Sequence, residues 1–137
     1  MVQKALTTED VLKCMEVVRD LRPHITEESY VTIMMKMIGE GYTLLYIEED
    51  GKAVSFAGFV KGYKLHRGNY IYIDDLNTLP GYRKKGYASM LMDEIEAIGN
   101  KENAKEIHLD SGVQRHDAHR FYLSRKFIIS SHHFVLK

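Results

Sequence analysis

The sequence predicts a mixed α/β domain in which two helices precede a hairpin and strands then alternate with helices. Two observations carry this prediction. Apolar residues recur at helical spacing before Gly39 and Gly41, and with a period of two after them. Beyond residue 70, strand-like and helix-like segments alternate, which is typical of a sheet in which two neighbouring strands run parallel.

The first two helices are predicted from their capping residues. Thr7 or Thr8 can cap a helix over residues 9–20, and Pro23 ends it. A second helix is expected to begin after Thr26, because the two glutamates that follow suit the positive end of a helix dipole. We expect it to stop at the pair of glycines where the apolar period changes.

The middle of the chain predicts a hairpin and a third strand. Residues 42–48 and 52–63 flank the turn Glu49-Asp50-Gly51, which favours an antiparallel pairing of the two segments. Residues 70–78 continue the sheet. In such a sheet, ligand chemistry is expected at a strand end.

The last third of the chain predicts two more helices and at least two strands. A helix over residues 87–98 is expected to end at Gly99-Asn100, and a short strand follows over 105–110. That strand would need the crossover helix to pair in parallel with the strand before it. We expect a helix over 116–126, and one long strand or two short ones over 127–136.

The composition limits the classes of function that this protein can have. The 137 residues, 45% of them hydrophobic, suffice for one domain with a core. Lys and Arg together number 19, as do Asp and Glu, so no global field favours nucleic acid, a membrane surface or a polyacidic partner. A single cysteine, no signal peptide and no long apolar run predict a cytoplasmic protein.

The most informative segment is a strand-like run that enters a basic turn and opens directly into a helix. Arg83, Lys84 and Lys85 surround the turn, and Gly86 lets an anion approach the backbone closely. The first N–H groups of a helix are unpaired and lie at the positive end of its dipole, so this arrangement suits a diphosphate. Its spacing is neither the Walker loop nor the dinucleotide fingerprint.

The spacing does resemble that of a known family. The pattern R-x-x-G-x-A over residues 83–88, preceded by L-x-T-x-P over 76–80, resembles the coenzyme A pyrophosphate loop of the GNAT superfamily of N-acetyltransferases. Downstream, A-x-x-F-Y-x-x-x-x-F over residues 118–127 is similar to the fourth helix of that family. Arg115 and Lys126 depart from the pattern, which usually has Asn and Gly at those positions.

The resemblance implies a fold, an activity and a set of coenzyme contacts. It implies one GNAT domain over residues 1–137, with a mixed, mostly antiparallel sheet flanked by helices on both faces. It also implies direct transfer of an acetyl group from acetyl-CoA to a primary amine of a small molecule or peptide, without a metal, and a homodimer. The implied coenzyme contacts are Leu76, Asn77, Thr78, Arg83, Lys84, Lys85, Gly86, Tyr87, Ala88, Ser89, Ala118 and Tyr122.

The same resemblance implies how the thioester and the departing thiolate are handled. Family members have a strand bulge at the position of residues 76–78, where backbone groups bond the pantetheine arm and polarise the acetyl carbonyl. Tyr122 would protonate the coenzyme A thiolate. A tyrosine has a reference pKa of about 10, close to the proton affinity of such a thiolate, so the transfer need not be strongly uphill.

The base that deprotonates the amine is predicted at a pair of adjacent aspartates. Strand alternation puts Asp75 on the apolar face with Ile73, and Asp74 on the other face with Leu76, although a bulge could exchange the faces. Adjacent like charges raise at least one pKa, which helps a carboxylate act as a base directly or through water. Asp74 is therefore the first candidate and Asp75 the second.

The acceptor side has weaker candidates. Ser111, His116 and His132 lie in the last third of the chain and could line the acceptor site, and no metal is expected, since no cysteine accompanies the histidines. Two other function classes stay open: a GNAT-like sensor or subunit that binds acyl-CoA without turnover, and an interaction module using the methionines around residue 35.

Overall fold

The computed structural model describes all 137 residues and contains one five-stranded sheet in the order β1-β2-β3-β4-β5. The strands are β1 (Val2–Lys4), β2 (Thr43–Glu49), β3 (Lys52–Lys64), β4 (Gly68–Thr78) and β5 (Glu106–Leu109). The helices are α1 (Thr8–Lys13), α2 (Met15–Leu21), α3 (Glu27–Gly39), α4 (Tyr87–Lys101) and α5 (His116–Ser124). No helix combines the length and the apolar character needed to cross a membrane.

The sheet is mixed and mostly antiparallel, which confirms the predicted fold class. Every neighbouring pair of strands is antiparallel except β4 and β5, which are parallel and are joined through α4. Helices cover both faces. On one face, α1–α3 bury a cluster that includes Val11, Tyr30 and Phe56. On the other, α4 buries a cluster that includes Ile71 and Leu91.

The first predicted helix is two helices. Thr7 caps α1, because its side chain accepts from the N–H of Asp10, while the Asp10 carboxylate accepts from the N–H of Thr7 at 3.1 Å. The chain then turns at Cys14, whose N–H bonds to Val11 O instead of continuing the α-helical pattern. Because Cys14 is fully buried, the turn wraps the two short helices around the same core.

The hairpin forms as predicted, and an additional strand that is not predicted pairs with it. Glu49 pairs with Lys52 across a two-residue turn in which both Asp50 and Gly51 have positive φ, as a tight hairpin turn requires. The additional strand is β1, which pairs antiparallel with β2. At three residues, β1 is too short to show a periodic apolar pattern, which is why the strand is not predicted.

The predicted end of α4 at Gly99-Asn100 is wrong, because the helix continues to Lys101. Gly99 lies inside the helix and is buried. A Cβ there would lie 3.4 Å from Ile71 Cδ1 and 3.7 Å from Ile107 Cδ1. The glycine therefore permits close packing of α4 on β4 and β5, and Asn103, with a φ of 59°, takes the left-handed conformation that follows the helix.

The predicted strand over residues 127–136 is also wrong. After the bond from Phe127 N–H to Tyr122 O, the chain makes no further backbone hydrogen bond, and β5 remains the last strand. Ile128 and Ile129 are 80% and 81% exposed. Two adjacent isoleucines cannot both face the core from one strand, and two serines and two histidines follow them, so this segment lacks the alternation that would fix a strand to the sheet.

Candidate active site

A bulge in β4 lies at the centre of the candidate site. Gly58 of β3 pairs with Asp75, and the next residue, Phe59, pairs with Ile73, which leaves Asp74 as an extra residue in β4. The bulge overturns the predicted alternation. Ile73 and Leu76 both contribute to the cluster under α4, so Leu76 does not share a face with Asp74 as predicted.

Asp75 is held by two side chains from the α1–α3 side of the sheet, so it does not share a face with Ile73. Tyr42 Oη donates to Asp75 Oδ2 at 2.7 Å, and Arg22 Nε donates to Asp75 Oδ1 at 3.0 Å. Arg22 also donates to the Asp74 carbonyl at 3.1 Å. Burial, followed by the charge of Asp75, raises the pKa of the Tyr42 phenol well above its usual range, so this phenol stays protonated and donates.

The Asp74 carboxylate differs from that of Asp75 in having no hydrogen bond or ion pair within the protein. It is still accessible to solvent. Partial removal from water raises the pKa of Asp74 most, and the neighbouring Asp75 charge raises it further, while Arg22 opposes both. The bulge thus presents one carboxylate that is neutralised and one that is free to accept a proton.

Beyond the bulge, one edge of β4 has no partner strand. The parallel pairing with β5 ends at Ile73 opposite Leu109, whereas pairing with β3 continues to Thr78. Backbone groups along residues 74–78 therefore face a gap between the two parallel strands. The resemblance implied a bulge at 76–78, but the register with β3 is regular there, and the bulge lies at Asp74 instead.

The side chains of residues 76–78 fix this strand end to the rest of the fold. Asn77 Nδ2 donates to Val17 O at 3.2 Å and to Asp20 Oδ2 at 2.9 Å, both on α2. Thr78 Oγ1 lies 2.8 Å from the buried Ser55 hydroxyl. Since these two side chains are already bonded within the protein, the groups left for a ligand are backbone groups other than the carbonyls of residues 74, 77 and 78, which already accept hydrogen bonds from side chains.

The turn after β4 has the geometry of an anion cradle. Lys84 and Gly86 have φ values of 63° and 81°, and alternating left-handed residues of this kind turn successive N–H groups toward one side. The N–H groups of residues 86–89, at the start of α4, have no acceptor in the protein. Nothing lies within 4 Å of the position that a Gly86 Cβ would take, so an anion can reach the backbone.

The three basic side chains of the turn are arranged differently from one another. Arg83 folds back and donates from Nε to Thr78 O at 2.9 Å. Lys85 Nζ lies 3.2 Å from Glu49 Oε1, on the β2–β3 hairpin, and this ion pair raises the pKa of Lys85. Glu49 also accepts from Tyr87 Oη. Lys84 forms no ion pair within the protein and is the basic side chain free to meet a phosphate.

Tyr122 lies on the α4 side of the sheet, in the cluster that also contains Leu76 and Leu109. Its ring packs against Phe121 and Phe127, with centroids at 5.6 and 5.8 Å. Burial raises the pKa of Tyr122, and its hydroxyl has no hydrogen-bond partner in the protein. The phenol is therefore protonated and free to donate at neutral pH. Ala118, one helical turn before, is half-buried.

The predicted acceptor residues are dispersed. Ser111 follows β5 directly, and its hydroxyl oxygen is buried without a hydrogen-bond partner. His116 begins α5, exposed, with its ring 6.2 Å from that of His119. His132 is exposed in the C-terminal segment. No group of three or more His, Cys, Asp or Glu side chains is arranged to hold a metal ion.

Sequence reasoning missed three residues that shape the site: Arg22, Tyr42 and Glu49. Each acts across the sheet on a residue more than 30 positions away, so no local spacing could reveal it. The Glu49-Asp50-Gly51 turn by itself predicts only a hairpin. Its two acidic residues are the one signal in the sequence for its contact with the basic turn after β4.

Comparison with known proteins agrees with this geometry. A model of the acetyltransferase (GNAT) family matches residues 9–127. YhdJ of Bacillus subtilis, an uncharacterised N-acetyltransferase, is 31% identical over 134 residues, which are 96% of this chain and 94% of that protein. The chain belongs to the GNAT family.

Other GNAT proteins are similar over part of the sequence or in fold. The aminoalkylphosphonate N-acetyltransferase of Salmonella typhimurium is 32% identical over 75 residues, which are 54% of this chain and 49% of that protein. The aminoglycoside N-acetyltransferase AAC(6')-Iy, solved in complex with CoA, superposes with a TM-score of 0.88 over 100% of this chain and 93% of that one. At 12% identity, this second likeness shows the fold alone.

Proposed function

We propose that this GNAT protein is an enzyme that moves an acetyl group from acetyl-CoA directly to a primary amine of a small molecule or peptide. The observation that carries the proposal is the continuity of the unpaired β4 edge with the anion cradle. The edge offers backbone groups to the amide-bearing arm of the coenzyme, and the cradle offers N–H groups to its diphosphate. Both belong to one continuous segment, residues 74–89.

Coenzyme binding is assigned mainly to the backbone. The N–H groups of residues 86–89 receive the diphosphate, with Lys84 adding a positive charge, while Arg83 and Lys85 keep the turn in place through Thr78 O and Glu49. The coenzyme brings an acetyl group activated as a thioester. Placing that thioester in the gap between β4 and β5 brings its carbonyl to the level of the bulge.

Proton transfers are assigned to Asp74 and Tyr122. The Asp74 carboxylate takes a proton from the acceptor ammonium, directly or through water, and the freed amine attacks the thioester carbonyl. A C–N bond forms, the C–S bond breaks, and the coenzyme thiolate takes a proton from Tyr122 Oη. The nitrogen releases its second proton to solvent to give the amide, and solvent returns a proton to Tyr122 and takes the one held by Asp74. Asp75 is excluded as first candidate because Arg22 and Tyr42 already occupy its oxygens.

The first test is calorimetric titration with acetyl-CoA, beside a thiol-release assay against a panel of small amines. Micromolar binding with release for at least one amine supports the proposal. Binding without release from any amine would favour the alternative, a GNAT-like sensor or subunit without turnover. Absence of binding would contradict the coenzyme assignment as a whole.

Two variants test the proposed coenzyme site and the proposed proton donor. Gly86→Glu places a carboxylate in the cradle and should abolish acetyl-CoA binding while the circular dichroism spectrum stays near wild type. The matched control is Gly41→Glu, at another glycine with a positive φ and nothing within 4 Å of its Cβ position, and it should bind normally. Tyr122→Phe should lower kcat and leave coenzyme affinity intact. Unchanged affinity in Gly86→Glu would refute the cradle.

We also propose that residues 1–137 form one GNAT domain that pairs as a homodimer in the cytoplasm. Two features support the pairing. The outer edge of β5 is unpaired, and five apolar side chains of the C-terminal segment are exposed: Ile128, Ile129, Phe134, Val135 and Leu136. Light scattering should give a dimer mass for the full chain and a monomer mass for a chain truncated after residue 127. A monomeric full chain would contradict the pairing.

A further inference from the structure

One polar and aromatic surface lies next to the bulge and is used by none of the roles assigned above. Tyr72 of β4 pairs with Val60 of β3, whose side chain packs in the cluster under α1–α3, so Tyr72 shares that face of the sheet. His108 of β5 lies beside Tyr72, and Asp110 follows directly after β5. We call Tyr72, His108 and Asp110 the β4–β5 shelf.

The residues of the shelf contact one another. The rings of Tyr72 and His108 are stacked, with centroids 6.5 Å apart and planes 7° from parallel, and Tyr70 meets the His108 ring edge-on at 6.4 Å. Tyr72 Oη donates to Asp110 Oδ2. The rings of Tyr72 and His108 remain half-buried, so part of their surface is still available for contact.

Asp110 and Asp74 are brought together by the strand register. Tyr72 lies opposite His108 and Ile73 opposite Leu109, where the pairing ends, so Asp74 and Asp110 are the first residues beyond the last paired positions of the two strands. Asp74 lies two positions after Tyr72, before the bulge reverses the alternation, and Tyr72 Oη donates to Asp110 Oδ2. The charges of both carboxylates raise the pKa of Tyr72, as expected if both lie near its hydroxyl.

Neither carboxylate of this pair forms an ion pair with a lysine or arginine. Asp74 forms no ion pair, and Asp110, whose side chain is 55% exposed, has only His133 within range, at 3.3 Å. Arg22 is already bonded to Asp75, and the charge of Arg67 acts on the Tyr72 phenol, where it opposes the rise in pKa that burial and the two carboxylates cause. Two carboxylates next to two aromatic rings suit an ammonium ion that has an apolar carbon skeleton. The ammonium group can lie against the carboxylates while the carbon skeleton packs on the rings.

We propose that the β4–β5 shelf is the acceptor site, and that it selects a cationic amine with a hydrocarbon or aromatic group and no anion beside the amino carbon. Asp110 holds the ammonium group, the carbon skeleton lies on Tyr72 and His108, and Asp74 takes the proton. Amino acids and aminophosphonates are disfavoured, since their anionic group would lie against the two carboxylates. This inference rests on the proposed acetyltransferase function.

The first experiment compares two amines that differ by one carboxylate. Thiol release from acetyl-CoA is measured with 2-phenylethylamine and with phenylalanine. The kcat/KM for 2-phenylethylamine should be at least about tenfold higher, which corresponds to about 1.4 kcal/mol. An equal or higher value for phenylalanine would overturn the shelf while leaving the proposed function standing.

The second experiment tests the shelf residues. Asp110→Asn should raise the KM for 2-phenylethylamine about tenfold with little change in kcat, and Tyr72→Ser should raise it at least threefold. Acetyl-CoA affinity should stay at the wild-type value in both. Asp117→Asn, which removes an exposed carboxylate on α5, is the control and should leave every parameter unchanged.

The outcomes separate the two proposals. An unchanged acceptor KM in Asp110→Asn, with the variant folded by circular dichroism and binding acetyl-CoA normally, would overturn the shelf alone. Binding of acetyl-CoA by the wild-type protein without release from any amine would overturn the proposed function, and the acceptor site with it.

Discussion

Replacing Gly58 with alanine tests the packing that holds the bulge. An alanine Cβ at this position would lie 1.5 Å from Tyr42 Oη and 2.0 Å from Tyr42 Cζ. Tyr42 is only 4% exposed, and its ring lies within the core under α1–α3. The ring therefore has no free space into which it can move, and the hydroxyl must leave Asp75.

The expected decrease in the free energy of unfolding of Gly58→Ala has two causes. Forcing an extra methyl group into a packed core costs about 1–3 kcal/mol, and loss of a hydrogen bond to a charged group costs about 1.5–3 kcal/mol. The two effects share one tyrosine and are not independent, so we expect Gly58→Ala to lower the free energy of unfolding by about 3–5 kcal/mol. Arg22 then remains the only side chain bonded to Asp75, and the position of the Asp75 carboxylate at the bulge is disturbed.

The assay is urea unfolding followed by far-ultraviolet circular dichroism, with two other glycines as controls. Gly39→Ala has nothing within 4 Å of the new Cβ and lies in α3, so it should be neutral or stabilise by up to about 1 kcal/mol. Gly62→Ala meets Tyr70 Oη at 2.5 Å, but that tyrosine is half-exposed and can move, so an intermediate cost is expected. A change below about 0.5 kcal/mol in Gly58→Ala would refute the packing argument.

Three further predictions concern charge and backbone strain. Arg22→Gln removes the cation that lowers the pKa of Asp74, so this pKa rises further and the acidic limb of kcat/KM should move to higher pH; an unmoved limb would exclude Asp74 as the base. Lys126→Gly relieves a φ of 71° and should raise the free energy of unfolding by about 0.5–1 kcal/mol in urea titrations. Glu49→Gln loosens the turn held through Lys85 and should weaken acetyl-CoA binding about threefold to tenfold by calorimetry. Tighter binding would show instead that Glu49 competes with the diphosphate for Lys85.

Local patterns predicted most of the fold because most elements carry their own boundary signals. The hairpin turn at Asp50-Gly51, the cap at Thr26 and the glycine before α4 are each specified by residues within a few positions of the feature. The failures come from tertiary packing. Gly99 has the residue type of a helix end, but it serves a close contact between α4 and the sheet that the sequence does not reveal.

The proposed cradle depends on neighbouring residues, whereas the bulge and its partners depend on residues far apart in the chain. The proposed cradle is one contiguous segment, so its residue spacing alone is enough to predict it. The bulge depends on which residues of β3 oppose β4, and a single extra residue reverses the face of everything after it. This is why alternation placed Asp75 and Leu76 on the wrong sides. Arg22 and Tyr42, which distinguish the two aspartates, reach β4 from elements far away in the chain.

The bulge gives two adjacent acids different surroundings. In a regular strand, neighbouring residues face opposite sides, and only one of them could reach the site. The extra residue in β4 instead lets Asp75 turn toward Arg22 and Tyr42, while Asp74 stays close enough for the Asp75 charge to raise its pKa. Arg22 and Tyr42 thus neutralise one carboxylate and fix the backbone, and the other is left unpaired at the end of the β4–β5 pairing. Moving Arg22 alone would not let Asp74 replace Asp75 as the neutralised carboxylate. Tyr42 also has to reach the carboxylate, and the glycine that leaves room for its ring, Gly58, lies opposite Asp75.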